Sequence, residues 1–239
     1  MTRRRTLGLL GGLFGSLASV GCGGRSSFVR YKLTIHMQTP AGRRSGSSVV
    51  QTNLYTAPRW LGSESGGSNW TQGEAPFVDL GDGRRVFALL ESGEGAKLLG
   101  DAMLDLFSRN ALTPPFAKGY GYAEWPASFA EARRTLPHGV LDPAKVMFVA
   151  FADPLDPRTV FAVDPADAEA TLGRAYRLEA LSILVVAGSV PLSARLEAAL
   201  PWLPMEESAR LAPAEGKTLA REMPIGSRLK ARCFRNRGK

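Results

Sequence analysis

Val29-Arg30-Tyr31-Lys32-Leu33-Thr34-Ile35-His36-Met37-Gln38 alternates apolar and polar residues without a break. Val29, Tyr31, Leu33, Ile35 and Met37 point one way, and Arg30, Lys32, Thr34, His36 and Gln38 the other, because successive side chains of an extended chain face opposite sides. The period of two predicts a half-buried β-strand over 29–38. Thr39-Pro40-Ala41-Gly42 breaks it, and 48–56, with Val49, Val50, Thr52, Leu54 and Tyr55, reads as a second strand, so the first long feature is a β-hairpin.

The same logic extends outward. Residues 57–73, rich in glycine and serine, read as a loop. Residues 75–80 and 84–91 read as strands joined by Gly81-Asp82-Gly83, which suits a tight hairpin turn. Over 94–107 the period changes, and Leu98, Leu99, Ala102, Met103 and Leu106 make one helical face. An aromatic loop over 113–126 holds Tyr120, Tyr122 and Trp125, and 128–135 suits a short helix. Further strands are expected at 145–152, 159–163 and 176–187, with short helices ending at Gly173 and spanning 193–200. Asp164-Pro165 offers an N-cap and a first-turn proline for the first of these helices. Strands outnumber helices and hairpins dominate, which predicts an α+β fold with mainly antiparallel sheet and a few short helices.

The N-terminus carries a different message. Arg3, Arg4 and Arg5 precede an apolar run of 14 residues, 7–20, that closes on Gly21-Cys22-Gly23-Gly24. At about 1.5 Å per residue the run is too short for a hydrocarbon core of about 30 Å, so it reads as a signal segment rather than a membrane span. Residues 1–21 are therefore expected to be a signal peptide, followed by one globular domain over 22–227 and a basic tail over 228–239. Of the 30 Lys and Arg, three sit in the leader and six after 227, so 22–227 holds 21 basic residues against 22 acidic. The high pI thus comes from the two ends and does not point to nucleic-acid binding. The tail reads as a solvated terminus, with attraction to anionic lipid or cell-wall polymer as its functional alternative.

The basic start, the apolar run and the lone cysteine resemble a bacterial lipoprotein signal, which implies lipid on Cys22. Ser19 stands where that signal usually has leucine, and Ser16-Leu17-Ala18 offers an ordinary cleavage site instead. Thr2-Arg3-Arg4-Arg5-Thr6-Leu7 also resembles a twin-arginine export signal. A second resemblance lies in Tyr31-Lys32-Leu33-Thr34, Thr39-Pro40-Ala41-Gly42 and Ser45-Gly46-Ser47-Ser48-Val49. Together with Phe77-Val78-Asp79-Leu80-Gly81-Asp82-Gly83, Val163-Asp164-Pro165 and Leu200-Pro201-Trp202-Leu203, these stretches resemble an uncharacterised family of bacterial envelope proteins. That resemblance implies a shared fold and lends no catalytic residue to any position.

Motifs for chemistry are sparse. His36 lies on the polar strand face, and His138, in Pro137-His138-Gly139, is read as a loop histidine free to act in a hydrolase. Gly62-Ser63-Glu64-Ser65-Gly66 is not a nucleophile elbow, since glutamate holds the centre. Gly93-Glu94-Gly95-Ala96-Lys97 lacks the ending of a phosphate loop. Asp153, Asp156 and Asp164 precede proline, and with Asp167 they suit turns and caps better than calcium. Gly42-Arg43-Arg44-Ser45-Gly46-Ser47-Ser48 reads as a polar hairpin connection, with Arg43, Arg44, Ser45 and Ser47 as candidate anion ligands. Cys22 and Cys233 form no Cys-x-x-Cys pair.

No catalytic residue, metal or cofactor is assigned. The expectation is a lipid-anchored, periplasm-facing envelope protein, on the outer rather than the inner membrane, with a binding or structural role. A periplasmic hydrolase and an accessory subunit of an envelope assembly are the alternatives. The expected partners are the membrane, through Cys22, and an envelope protein or cell-wall polymer, with oligomeric state left open.

Overall fold

A computed structural model describes residues 25–56, 67–92, 99–100, 103, 125–203, 211 and 229–238. The architecture is mainly antiparallel β-sheet with a few short helices. The predicted hairpin is its spine. β1 (Arg25–Thr39) and β2 (Gly42–Thr56) pair along their whole length, Arg25 opposite Thr56 and Thr39 opposite Gly42. Both strands outrun the sequence expectation, because Arg43 to Ser47 continue the ladder instead of forming a connection.

β3 (Gly67–Glu74) pairs with β2, so the second half of the expected Gly/Ser loop is a strand. A ladder supplied by β2 outweighs the low strand propensity of Gly67, Ser68 and Asn69. Residues 57–66, the aromatic loop up to 124 and most of the helix expected at 94–107 lie outside the described residues. Leu99 and Met103 are helical and buried.

β4 (Phe77–Asp79) and β5 (Arg85–Ala88) form the predicted Asp-Gly hairpin, with Gly81 and Gly83 at φ of +89° and +88°. α1 (Trp125–Thr135) leads into β6 (His138–Leu141). β7 (Phe148–Phe151) and β8 (Val160–Val163) follow, then α2 (Ala168–Leu172) and β9 (Arg177–Val186). Asp167, not Asp164, caps α2, its side chain accepting from the Ala170 amide; Asp164 closes the turn before it. α3 (Leu196–Ala199), α4 (Ala231–Phe234) and β10 (Arg235–Asn236) complete the described elements.

The strands make two sheets, ordered β10-β3-β2-β1-β9-β6 and β4-β5-β7-β8. The first sheet buries one face: Val29, Tyr31, Leu33, Ile35 and Met37 of β1 are fully enclosed with Val50, Leu54, Leu181 and Ile183. Tyr31 keeps its hydroxyl satisfied within that core, 2.9 Å from Thr52 Oγ1, and burial pushes the phenol up to about 12. The second sheet is buried on both faces. Val86, Ala88, Phe148 and Ala150 meet the first core, while Phe87, Leu89, Val149 and Phe151 meet a second one. That is why 148–151 is apolar at every position instead of alternating.

The second core corrects the reading of the C-terminus. Leu229, Ala231, Cys233 and Phe234 are buried in it beside Leu196, Leu200 and Leu203, and β10 pairs with the end of β3. Three of the tail's cations are engaged by acids of the fold: Arg232 with Glu91, and Arg235 and Arg237 with Glu197. The basic composition of 228–239 hid an apolar residue at each point of contact. Nothing over 229–236 is a solvated tail, and the domain does not stop at 227.

The β4–β5 turn is tied down by a charged cluster. Asp82 accepts from the Arg84 amide and guanidinium and from the Tyr176 hydroxyl at 2.7 Å, and Arg84 lies 4.8 Å from the Tyr176 ring centroid and donates to Leu172 O. The hydrogen bonds from Arg84 hold the Asp82 carboxyl down at about 2. Because the folded pKa lies below the unfolded one, this contribution is present above about pH 4 and is lost as pH falls towards 2. Asp82→Asn is expected to flatten that part of the acid-unfolding curve, by less than about 1 kcal/mol for so exposed a pair. Urea midpoints at pH 7, 4 and 2.5 check this, and an unchanged acid limb would count against it.

Candidate functional site

The outer face of the first sheet is built by the polar half of the founding alternation. Residues paired across neighbouring strands share a face, so the register places Thr34 with Ser47 and Ser182, and His36 with Ser45 and Ala180. One step towards the β1–β2 turn, Gln38 is flanked by Arg43 and Arg177; one step the other way, Lys32 is flanked by Val49 and Leu184. The centre of the face is therefore a row of hydroxyls with an imidazole, and His36 Nε2 lies 2.9 Å from Ser182 Oγ.

Cations dominate the ionised residues there. Arg30, Lys32, Arg43 and Arg177 all occupy outer positions, and Lys32, Arg43 and Arg177 are exposed. Arg30 is held by Gln51 Oε1 at 2.7 Å and Val190 O at 2.6 Å. The acid facing them is Glu179, the extra residue where the β1–β9 register shifts between His36 and Met37. That bulge re-aims its side chain, and its carboxylate takes Arg43 Nε at 3.0 Å. A cleft of about 470 Å³ opens beside it, lined by Gln38, Ala175, Arg177, Leu178 and Glu179. Ala175 stands at φ +67°, a conformation that costs an L-residue energy and recurs at ligand sites.

The structure splits the candidate anion ligands. Arg43, Ser45 and Ser47 share the outer face. Arg44 is the partner of buried Met37, and its guanidinium lies against Gly81 of the β4–β5 turn. One residue of chain separates them, and in a strand that is a change of side. Arg44 stays exposed there, whereas Gly46 is pressed against the carbonyl of Phe77. Arg177, Glu179 and Ser182 join the face from β9, more than a hundred residues away in the chain, and sequence reading missed them. The visible signal was the polar residues at alternate positions of β9, masked by Ala180 and Leu184.

His138 opens β6 and is exposed on the same face, paired with Leu184, so it is a strand residue and not a loop residue. It stands in the Lys32 row, apart from His36. Tyr120 and Tyr122 of the expected aromatic loop lie outside the described residues, as does Cys22, while Trp125 opens α1 instead. Cys233 is a free, buried thiol whose pKa burial pushes up to about 11, which leaves it protonated and unreactive at neutral pH. Asp153, Asp156, Asp164 and Asp167 each accept a backbone amide two or three residues on, the work of turn and cap residues. Among the described residues no helix is long and apolar enough to cross a membrane, and no three His, Cys, Asp or Glu side chains gather into a metal-holding group.

A second cleft, of about 350 Å³, lies where β3 and β10 meet the segment leading to α3. Its charges serve the fold. Glu74 accepts the Arg195 and Leu196 amides at 2.7 and 2.9 Å, capping α3 from a distant strand. The Arg235 guanidinium holds the Glu197 carboxyl below the usual carboxylate range.

No family model, curated protein or solved structure matches this chain.

Proposed function

We propose that the protein is a lipid-anchored envelope protein, held by Cys22 and facing the periplasm, whose role is to bind an anionic cell-wall polymer along the outer face of its first sheet. One observation carries the binding half: the strands segregate Lys32, Arg43 and Arg177 onto an open, hydroxyl-rich face although 22–227 is nearly neutral overall. Hydroxyls and guanidinium groups suit the acidic and hydroxyl groups of a glycan, and a sheet presents them without an ordering cost.

The geometry suits an anchored binder. β1 begins three residues after Cys22 and is 15 residues long. At about 3.3 Å per residue the β1–β2 turn stands roughly 45 Å from the anchored end, with Arg43 and Arg177 beside it. A role as a subunit of an envelope assembly has its own support in exposed Val140 and Leu184 on adjacent strands of the same face.

The experiment has two arms. Cys22→Ser should move the protein from the membrane pellet to the high-salt wash. The double variant Lys32→Glu/Arg177→Glu should reduce co-sedimentation with purified cell-wall sacculi at least five-fold at low salt, the wild-type signal itself fading as salt screens it. Membrane retention of the serine variant would overturn the anchor, and equal sedimentation of the double variant would overturn the polymer.

A further inference from the structure

We infer that the anchored end of the first sheet is itself a membrane contact, in which Trp70 and Tyr55 sit in the lipid headgroup region beside the acylated cysteine. The inference deepens the reading above and rests on its anchor.

The register brings the parts together. The last rung of the sheet joins Arg25, Thr56 and Gly67; the next joins Ser26, Tyr55 and Ser68; and two further on, Phe28, Asn53 and Trp70 stand side by side. Tyr55 and Trp70 lie on the outer face at 41% and 37% exposure, at the same end of the sheet as the start of β1. A tryptophan left open on a strand loses the burial that its ring area would otherwise gain. At a bilayer interface the same ring is favoured, apolar body in and N–H towards water, which is where Trp and Tyr collect.

The length of chain makes the contact close to obligatory. Only Gly23 and Gly24 separate Cys22 from Arg25, and the three fully extended Cα-to-Cα steps reach at most about 11 Å. The headgroup layer of one leaflet is itself about 5–7 Å thick. The sheet end therefore has little room to stand clear of the lipid, and Tyr55 is directly across the ladder from Ser26. Charge agrees: Arg30 and Arg133 flank the Phe28 ring at 5.7 and 5.4 Å to its centroid, and Ser26, Phe28, Asn53, Tyr55 and Trp70 on the outer face of these rungs include no acid. Cations are attracted to anionic headgroups. The other exposed apolar pair, Val140 and Leu184, lies further up the face and lacks both the aromatic character and the proximity to the anchor.

The test uses the full chain, purified from membranes and reconstituted into phosphatidylethanolamine–phosphatidylglycerol vesicles whose acyl chains carry bromine near the headgroup. Tryptophan fluorescence should be quenched relative to unbrominated vesicles. Trp70→Phe should remove at least half of the quenched intensity, although the other three tryptophans remain. Tyr55→Trp should add a new quenched component; both sites are exposed, and circular dichroism checks that the fold persists. Quenching equal in wild type and Trp70→Phe, with none gained by Tyr55→Trp, would overturn the membrane contact while leaving the anchor intact. An intact mass without lipid on Cys22 would instead overturn the anchor on which the contact depends.

Discussion

Phe234→Ala is expected to cost about 3–5 kcal/mol, and removal of residues 229–239 to abolish cooperative folding. The Phe234 ring is fully buried and stands 6.1 Å from Phe87, 5.8 Å from Phe151 and 5.6 Å from Trp202, centroid to centroid. It is the hub of the aromatic cluster between the second sheet and the α3 region. Truncation to alanine removes its apolar area and leaves a cavity among rings that cannot all move in to fill it. The backbone around it matters as well. Phe234 O accepts the Ala75 amide at 2.7 Å, and Cys233 O accepts the Leu90 amide at 2.8 Å. Those bonds seal the point where the chain leaves β3 for the second sheet and the end of β5. Deletion opens them together with the contacts of Leu229, Ala231 and Cys233, in a domain whose total stability is on the order of 5–15 kcal/mol. Urea unfolding followed by tryptophan fluorescence measures the point variant, and dispersion of the amide NMR spectrum reads the truncation. A truncated chain with wild-type dispersion would mean that the segment is the solvated tail its composition suggested.

Gly46→Ala should destabilise by about 3 kcal/mol or more, at the upper end of what overpacking causes. A Cβ at Gly46 would lie 1.7 Å from the Phe77 carbonyl oxygen, 2.6 Å from its carbon and 2.8 Å from Val78 Cα. All three are backbone atoms of β4, fixed by its ladder with β5, so no side chain can turn aside to make room. The whole second sheet would have to shift away from the first. Gly42 provides the comparison. It has nothing within 4 Å and a φ of +103°, so alanine there meets only backbone strain, worth about 1–2 kcal/mol. Midpoints of urea denaturation for the two variants, measured side by side, decide the matter. If Gly46→Ala is as mild as Gly42→Ala, β2 and β4 do not pack backbone to backbone.

Gly46 also shows where legibility in the sequence ends. Its neighbours Arg43 to Ser48 look like a polar connection because small and charged residues collect in loops. The property that makes Gly46 necessary is a strand from another sheet crossing at contact distance, and that leaves no local mark. The β3 strand was hidden for a related reason. Gly67, Ser68 and Asn69 have poor strand propensity, and only pairing with β2 makes them extended. The C-terminal segment misled because charge dominated its composition, whereas one buried aromatic, Phe234, decided its place.

The candidate face was half visible. The polar members of β1, with Arg43, Ser45 and Ser47, could be read from the chain. Arg44 is adjacent to Arg43 in the chain, but strand alternation turns it to the opposite side of the sheet. Arg177, Glu179 and Ser182 left only a faint local signal, and their place on the face comes from the β1–β9 pairing, bulge included, which joins segments more than a hundred residues apart. The near-zero net charge of 22–227 concealed the basic face in the same way: a sum over residues carries no direction.

Local chemistry, then, wrote the elements. The strict alternation of 29–38, the Asp-Gly turn at 81–83 and the unbroken apolar run of 148–151 each declare a strand, a hairpin or a doubly buried strand. They do so because the pleat, the left-handed turn residue and the demand for apolar contact on one or two faces act within a few residues. Tertiary packing settled which strands are neighbours, that the chain end belongs to the core, and which side chains share the open face. Those outcomes depend on pairings and contacts between distant segments, whose energies exist only once the chain has brought them together.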